Sequence, residues 1–456
     1  MTSDDERPRT PQGSGRPGAR RVLPGLDTLL PATTELYLDL HSHPELSGAE
    51  RRTAARFADW LAEDGFHVLR GIGGHGVAAT LSNGEGPAVL LRAELDALPV
   101  AERTGVPYAS TVTAPGPDGR PVPVMHACGH DAHLACVAAA ARWLAAGRDS
   151  WRGTLLVVGQ PAEETLSGAV AMLEDGLYDR ITPPDVVLAQ HTASFPAGMV
   201  AHADGPVLAG SLTLEVGFEG EGGHAATPHL TADPLLAAAG TVTRLSTIVA
   251  RETDPAERLV VSASSLRTAD AGHTGNMIAS RAVLHVTVRA FSEAALDRAA
   301  LAVERIARAE AGSAALPPRV TVARSSRSGV TLADPDVTAA VRSAHVAAFG
   351  PSRVTGWPGT SATEDFPLLT GAGAHLHGRP GIRGAYWMLG AVGPTQWAAA
   401  PGTGAAEKFR SLPGNHSSRY LPSVRLTLET GTTALATAAL ARLADRADRP
   451  ALPHVP

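Results

Sequence analysis

The sequence predicts an α/β fold: a mostly parallel sheet covered by helices and interrupted by an inserted ferredoxin-like domain. Apolar runs such as PAVLLRAELD, GTLLVVGQPAEE and PDVVLAQH alternate with helical patterns such as HLACVAAAARWLAA, as in a buried parallel sheet. From about residue 210, strands with alternating apolar and polar residues appear in the order β-α-β-β-α-β. Helix–strand alternation resumes after about residue 330, so the second domain is predicted to be an insertion in the first.

These transitions set the predicted domain boundaries. We expect residues 27–208 and 329–446 to form the α/β domain, and residues 209–328 to form the insertion. The segments 1–26 and 447–456 are rich in Pro and Arg, so we expect disordered tails. The first segment lacks the apolar core of a secretory signal, and no run approaches the roughly 18 apolar residues of a membrane span. We therefore expect a cytoplasmic protein without a membrane partner.

The composition excludes several classes of protein. The 456 residues are 44% hydrophobic and 18% charged, which supplies a large core. The net charge of −6 argues against a nucleic-acid partner, which would favour a basic surface. Two cysteines, Cys128 and Cys136, cannot form a disulfide framework. The 18 histidines could form a pH sensor, lie scattered on the surface or bind metal, and only their positions can decide.

Polar side chains follow three of the predicted parallel strands. They are Glu94 with Asp96, Glu163 with Glu164, and His191. Because ligands of parallel α/β sheets bind beyond the carboxyl ends of the strands, we expect these groups to lie near one another. The alternative is that each is an ordinary solvated residue at a strand end. Three strands ending in the same way favour a shared site.

The segment VMHACGHDAHL places a thiol and an imidazole together. Cys128 and His130 are two residues apart, so they share a face in an extended segment, and Gly129 permits close backbone approach. We expect a helix to begin near Asp131. A thiolate and an imidazole on a rigid loop resemble metal ligands. The alternative, an inert buried cysteine, is our interpretation of Cys136.

Two further histidines lie on loops. His224 follows two glycines at the end of a strand, which suits a mobile element that reaches a substrate, although a simple turn histidine is equally consistent. His416, in LPGNHSSRY, lies between helical and strand patterns and indicates little by itself.

Together the residues indicate hydrolysis by metal-activated water. One metal with three protein ligands and water is an option, but two metals sharing a bridging ligand use five ligands more naturally. On an extended backbone, adjacent Glu163 and Glu164 would point apart, so that one binds metal and the other is a general base. The mixed donors favour zinc, cobalt, nickel or manganese. The five candidate ligands are Cys128, His130, Glu164, His191 and His416.

A series of motifs resembles the M20 family of metallopeptidases and amidohydrolases. The resemblance runs through LHSHPELSGAE, RAELDALPVAERTGVPYAS, MHACGHDAH, QPAEE, GEGGHAATPH, TEDF and NHSSRY, and covers nearly all of the chain except the tails. It is strongest to the branch that contains hippurate hydrolase, N-acyl-amino-acid amidohydrolases, N-acetyldiaminopimelate deacetylase and auxin–amino-acid hydrolases. It implies a two-domain fold in which the insertion is a lid and a homodimerisation surface.

The resemblance also implies roles for individual residues. The same five ligands fall where the branch places two divalent metal ions, with Cys128 where related branches use a bridging carboxylate. Glu163 falls on the general base and Asp96 on a carboxylate that orients a ligand. His224 falls on the histidine that polarises the scissile carbonyl, often across a dimer interface. The substrate-contacting region of the insertion contains Asn276 and Arg289, and the arginine would bind a substrate carboxylate.

Departures from the family pattern lie beside the expected site. Glu94 replaces the usual Asp, and Thr165, Leu166 and Ser167 replace a glycine run. The family's Gly-Thr before the arginine of the insertion reads Val286–Thr287, and its terminal His-x-Pro ends in Ser418. None removes a candidate ligand, so they concern the substrate more than the catalysis.

We therefore expect a metal-dependent amidohydrolase acting on the amide bond of an N-acyl amino acid or a related small amide. The first alternative is a metal-dependent carboxypeptidase or dipeptidase on the same scaffold. An alternative of another class is a non-catalytic binding protein that retains the fold. A serine esterase is disfavoured, because no Gly-x-Ser-x-Gly motif is evident.

Overall fold

A computed structural model describes residues 25–116, 118–269 and 275–443. Apart from positions 25 and 26, the predicted tails lie outside these residues. The strands of the described part are β1 (His67–Ile72), β2 (Gly76–Asn83), β3 (Ala88–Glu94), β4 (Thr113–Pro115), β5 (Pro121–Pro123), β6 (Gly153–Gln160), β7 (Val186–Pro196), β8 (Val200–His202), β9 (Pro206–Leu208), β10 (Gly210–Glu219), β11 (Gly223–His224), β12 (Leu259–Ala269), β13 (Met277–Ile278), β14 (Arg281–Ala290), β15 (Arg319–Ser328), β16 (Thr331–Leu332), β17 (Val354–Gly356) and β18 (Arg383–Val392).

The helices lie mostly between these strands. They are α1 (Leu26–Ser42), α2 (Arg51–Glu63), α3 (His130–Ala146), α4 (Gly168–Glu174), α5 (Leu177–Arg180), α6 (Pro234–Arg251), α7 (Glu293–Gly312), α8 (Pro335–Phe349), α9 (Ala374–His377), α10 (Pro394–Ala399), α11 (Ala405–Ser411) and α12 (Val424–Leu443). Short 3-10 turns occur at Arg148–Ser150, Pro228–Leu230, Pro351–Arg353, Phe366–Leu369 and Gly371–Gly373. Within the described ranges, no helix is both long and apolar enough to span a membrane.

The large sheet confirms the predicted α/β class. Its order is β1-β2-β6-β3-β7-β18-β8-β17, and the central strands β6, β3, β7 and β18 are parallel. Strands β1 and β2, which the sequence analysis did not identify, add an antiparallel edge. Alternate residues face opposite sides: Leu91 packs with α1, α2, α3 and α12, whereas Leu90 packs with α4 and α5. Both faces are covered, which explains why these strands are almost continuously apolar.

The chain between β9 and β16 forms a second sheet with its own core. Its elements follow the predicted order β10, α6, β12, β14, α7 and β15, and the antiparallel sheet has the order β12-β14-β10-β15. Helices α6 and α7 cover one face, so buried and partly exposed residues alternate along β14. Asp233 and Ser292 cap the two helices by accepting backbone N–H groups.

The two parts of the chain meet at a short antiparallel pair. Strand β9 leads into the second sheet, β16 leads out of it, and Thr331 pairs with Leu208. The exact domain boundaries and the role of the inserted part as a lid stay predictions.

Candidate active site

The candidate metal ligands, together with Glu163 and Asp96, gather near the carboxyl ends of the central strands of the large sheet. Strand β3 ends at Glu94, and Asp96 follows two residues later. His191 was predicted to lie beyond a strand end, and this was wrong. It lies within β7, because pairing with β18 continues past it, with Met388 opposite His191.

The prediction of an extended backbone at Glu163 and Glu164 was also wrong. Both residues lie in a turn after β6, bounded by Ala162 at φ 48° and Leu166 at φ 53°. The Leu166 N–H donates to the carbonyl of Glu163 at 2.7 Å, which closes the turn. The turn brings both carboxylates to one imidazole: the Nε2 atom of His130 lies 3.7 Å from Glu163 Oε2 and 3.9 Å from Glu164 Oε1.

The segment before α3 presents Cys128 and His130 from a tight backbone. Gly129 has φ 86°, and a Cβ atom at this position would lie 2.5 Å from Thr192 Oγ1, so only glycine fits. Helix α3 begins at His130, one residue before the predicted start. Both side chains are buried, with 7% of Cys128 and 1% of His130 exposed.

The five candidate ligands form two overlapping groups. The first contains Cys128, His130 and His191, and the second contains Cys128, Glu164 and His416. Within each group the potential ligand atoms lie within 4.8 Å of one another. Cys128 Sγ lies 3.4 Å from His191 Nε2, and Glu164 Oε2 lies 3.3 Å from His416 Nε2. Cys128 belongs to both groups, as a bridging ligand between two ions would.

Hydrogen bonds orient the histidines toward the cluster. The His130 Nδ1 atom lies 2.9 Å from the Asp96 carbonyl, and the His191 Nδ1 atom lies 2.8 Å from the Thr192 carbonyl. Because a carbonyl only accepts, each Nδ1 carries a proton, and in the neutral form of each ring the Nε2 lone pair faces the cluster. The Asp96 carboxylate accepts hydrogen bonds from Ser47 Oγ at 2.7 Å and from the Glu164 N–H at 2.9 Å. Asp96 therefore holds both a candidate ligand and the turn.

Several buried polar atoms have no hydrogen-bond partner among the described residues. They include Asp96 Oδ1, His130 Nε2 and Glu164 Oε1. An unpaired buried polar atom costs about 1–3 kcal/mol, so such atoms concentrated in one place indicate a site built to bind a further group.

Negative charge dominates this site. Burial alone would lower the pKa of His130, but its hydrogen bond with Asp96 and the charges of Glu94 and Asp96 raise that pKa to about 10. By contrast, burial and the neighbouring His133 lower the pKa of His191 to about 4. The surrounding carboxylates therefore favour the protonated form of His130, whereas burial favours the neutral form of His191.

The candidate base and the thiol respond to the same environment. Burial raises the pKa of Glu163 well above its usual range, and the carboxylates of Glu364 and Glu164 raise it further. Burial also raises the pKa of the Cys128 thiol, again with a contribution from Glu164. The raised pKa increases the proton affinity of the Glu163 carboxylate, as a general base requires.

A buried network behind Glu163 was missed by the sequence analysis. Arg92 donates to Glu94, to Glu364 at 2.7 Å and to Asp365 at 3.0 Å, and Gln160 donates to Asp365 at 2.7 Å. Glu364 and Asp365 belong to the TEDF motif, which served only to support the resemblance. A buried arginine within an apolar strand was the available signal, since such a charge needs partners.

His133 was missed as well. Its Nε2 atom accepts the Thr192 N–H at 2.8 Å, so its Nδ1 carries the proton and donates to Glu94 at 2.8 Å. It lies one helical turn after His130, and that spacing on one face was the available signal.

The predicted catalytic residue His224 and the predicted substrate-binding residues Asn276 and Arg289 lie on the inserted part. His224 and Asn276 are both exposed. They lie close together, since the N–H of Ala225 donates to the Asn276 carbonyl at 2.9 Å. Arg289 donates to the carbonyl of Ser361 at 2.6 Å. No hydrogen bond or ion pair among the described residues joins these three side chains to the ligand cluster.

Known proteins resemble this chain. The N-acetyl-L-cysteine deacetylase of Bacillus subtilis (strain 168) is 37% identical over 254 residues, which cover 55% of this chain and 58% of that protein. The hippurate hydrolase of Campylobacter jejuni is 37% identical over 253 residues, which cover 55% and 62%. The chain thus spans about three fifths of the length of these relatives. A solved structure from methicillin-resistant Staphylococcus aureus gives a TM-score of 0.76 at 27% identity, covering 93% of this chain and all of that one.

The family model described as peptidase family M20/M25/M40 matches residues 90–401. This range is more than half of the chain and contains every candidate ligand except His416. The resemblance inferred from the motifs is confirmed: the chain belongs to peptidase family M20/M25/M40.

Proposed function

We propose that the protein is a metal-dependent amidohydrolase that cleaves the amide bond of N-acyl amino acids. The observation that carries this proposal is the convergence of five side chains that could bind metal, beside the buried carboxylate of Glu163. The names of the deacetylase and the hippurate hydrolase support the substrate class, since hippurate is an N-acyl glycine.

The donor set fits a pair of divalent ions. The unpartnered His130 Nε2 and Glu164 Oε1 atoms, the shared Cys128 thiol and the surplus of carboxylates all favour added positive charge. Nitrogen, oxygen and sulfur donors suit zinc, cobalt, nickel or manganese. Cys128, His130, Glu164, His191 and His416 would hold the ions. When bound, such ions supply Lewis acidity, which activates water and polarises a carbonyl.

The residues of the chain then handle the proton. Glu163, buried and 5% exposed, takes a proton from the attacking water and delivers it to the leaving nitrogen. Asp96 fixes the His130 ring through its own backbone carbonyl, and it fixes the turn through its carboxylate. Carboxylates from Glu364 and Asp365 lie behind Glu163 and favour its protonated state between these two transfers.

The roles proposed for the inserted part follow from its polar groups. Arg289 would bind the substrate carboxylate through its guanidinium, with Asn276 contributing a polar contact and His224 stabilising the developing oxyanion. Each of these residues would reach the cluster through a movement of the inserted part, or from the inserted part of a second subunit. The insertion would thereby serve as a lid.

A homodimer through the inserted part belongs to the same proposal. Strand β12 lies at a sheet edge with Val260 and Leu266 exposed, and α6 exposes Leu235 and Leu236, the latter by 68%. An open edge and apolar side chains together favour pairing with a second copy. Sedimentation analysis of the wild type and Leu236→Glu tests this, with a monomeric wild type contradicting it.

We also propose a cytoplasmic location. Both cysteines are free, and Cys128 needs to remain reduced in order to bind metal. Cell fractionation would test this location.

The decisive experiment compares Glu163→Gln with the wild type after loading with metal. Turnover of N-acetyl and N-benzoyl amino acids should fall at least about a hundredfold while metal content is unchanged, because glutamine cannot accept the proton. Near-normal turnover in the metal-loaded variant would contradict the assignment.

A substrate panel separates the alternatives. Chelator-treated protein should be inactive, and a dipeptide with a free amino group should be cleaved far more slowly than its N-acylated form. Preference for the free dipeptide would favour the carboxypeptidase or dipeptidase, and a protein that binds no metal and cleaves none of these compounds would favour the binding protein.

A further inference from the structure

Three of the candidate ligands come from separate segments of the chain, and their spacing must be fixed by something other than the chain between them. Cys128 precedes α3, His191 lies in β7, and His416 lies in the loop before α12. Asn415 directly precedes His416 and reaches both of the other segments. It has had no role so far.

The Asn415 amide donates to the carbonyls of two ligand-bearing segments. Its Nδ2 atom lies 3.0 Å from the Cys128 carbonyl oxygen and 3.1 Å from the Thr192 carbonyl oxygen. A side-chain amide nitrogen has two N–H donors, and both are used here. Because both partners only accept, the nitrogen rather than the oxygen of the amide must face them.

One of these carbonyls also orients a ligand. The Thr192 oxygen accepts the Nδ1–H of His191 at 2.8 Å, and the opposite ring atom, Nε2, lies 3.4 Å from Cys128 Sγ. Asn415 therefore holds the carbonyl that aims His191 at Cys128, and through its second N–H it holds the backbone of Cys128 itself. Its Nδ2 atom also lies 3.9 Å from the Cys128 sulfur.

His416 depends on the same backbone. It has φ 70°, a left-handed conformation that persists in a residue with a Cβ atom only when its surroundings hold it. Its side chain is 55% exposed, so packing does not fix the ring. The backbone is fixed on one side by the His416 N–H, which donates to the Ala127 carbonyl at 2.7 Å, and on the other by Asn415.

We infer that Asn415 is a positioning residue that sets the mutual spacing of Cys128, His191 and His416 without binding metal or substrate itself. This inference rests on the proposed metal site. The competing explanation is that Asn415 merely anchors its loop. Ser194 provides the matched control, because its hydroxyl donates to the Pro413 carbonyl at 2.8 Å in the same loop but contacts neither the Cys128 nor the Thr192 carbonyl.

The test measures zinc binding to the metal-free protein by competition with a chromophoric chelator, so it does not require activity. Asn415→Asp keeps the size of the side chain but places an acceptor against two carbonyls. We expect zinc binding about ten- to a hundredfold weaker, as for other residues that orient metal ligands, whereas Ser194→Ala should remain within about twofold of the wild type. Asn415→Ala adds no charge and should also weaken zinc binding. It provides the test if the aspartate variant fails to fold.

A spectroscopic readout separates positioning from loop anchoring. In the cobalt-loaded proteins, the thiolate-to-cobalt charge-transfer absorption should weaken or shift in the Asn415 variants and stay unchanged in Ser194→Ala. Wild-type zinc binding in both Asn415 variants, or equal losses in Ser194→Ala, would overturn the inference alone. A wild-type protein that binds neither metal would overturn the proposed function, and the inference with it.

Discussion

A buried pair of histidines outside the candidate ligand set should make the protein sensitive to acid. His202 ends β8 and His345 lies in α8, with 1% and 0% of their surfaces exposed. His345 Nε2 donates to the Ala434 carbonyl at 3.0 Å, so its Nδ1 accepts a hydrogen bond from His202 Nε2 at 2.9 Å. The His345 ring is therefore neutral in this arrangement, and His202 donates to it.

The size of the effect follows from the pKa values. Burial, with contributions from His345 and Arg342, lowers the pKa of His202 to about 3, and burial lowers the pKa of His345 to about 4. The unfolded chain takes up these protons near pH 6.5, so acid favours unfolding. The stability that the neutral rings contribute is complete above about pH 6.5. It is lost progressively as the pH falls, down to about pH 4 for His345 and about pH 3 for His202. At pH 5 each histidine should lower the free energy of unfolding by about 2 kcal/mol. This figure follows because pH 5 lies about 1.5 units below the unfolded pKa and each unit costs about 1.4 kcal/mol.

His345→Gln removes one titrating ring while keeping a donor and an acceptor. We expect the loss of stability between pH 8 and pH 5 to be about 2 kcal/mol smaller in this variant than in the wild type. Urea unfolding of the metal-free protein can be followed by tryptophan fluorescence, because Trp387 lies 5.1 Å from the His345 ring. His67→Gln, at an exposed histidine, is the control and should behave as the wild type does. Equal losses in the wild type and His345→Gln would refute this reasoning.

Two further predictions concern stability near the site. Leu166→Gly should raise the unfolding temperature of the metal-free protein. It relieves the strain of a left-handed backbone, about 1–2 kcal/mol, which exceeds the entropy cost of glycine, about 0.5–1 kcal/mol. Leu166→Ala keeps the Cβ atom and should give no gain. A lower midpoint for the glycine variant would contradict this. Arg92→Met should cost about 3–5 kcal/mol because it leaves buried carboxylates unpaired, whereas Arg180→Met, at an exposed ion pair with Asp175, should cost at most about 1 kcal/mol. Similar urea midpoints for the two arginine variants would show that the buried network contributes little.

The sequence predicted the parts of the fold that depend on local pattern. Continuous apolar runs indicated strands buried on both faces, and alternation indicated the second sheet, since burial is written into the residue types along each strand. Strands β1 and β2 escaped notice because HVLRGI has a single buried position, and GVAATLSN contains small and polar residues in place of a continuous run of large apolar ones. Such segments become strands only when a neighbouring strand supplies hydrogen bonds.

The sequence by itself determined which side chains could carry the chemistry. Cys128, His130 and the Glu163–Glu164 pair came from the residue pattern, and His416 came from the family resemblance. Only the tertiary structure decided how they meet. It placed His191 inside a strand, folded Glu163 and Glu164 into a turn, and revealed Asn415 as a link between segments nearly 300 residues apart. The physical reason is that residue type fixes what an atom can donate, accept or bind, whereas its direction depends on strand register, left-handed turns and hydrogen bonds between distant segments.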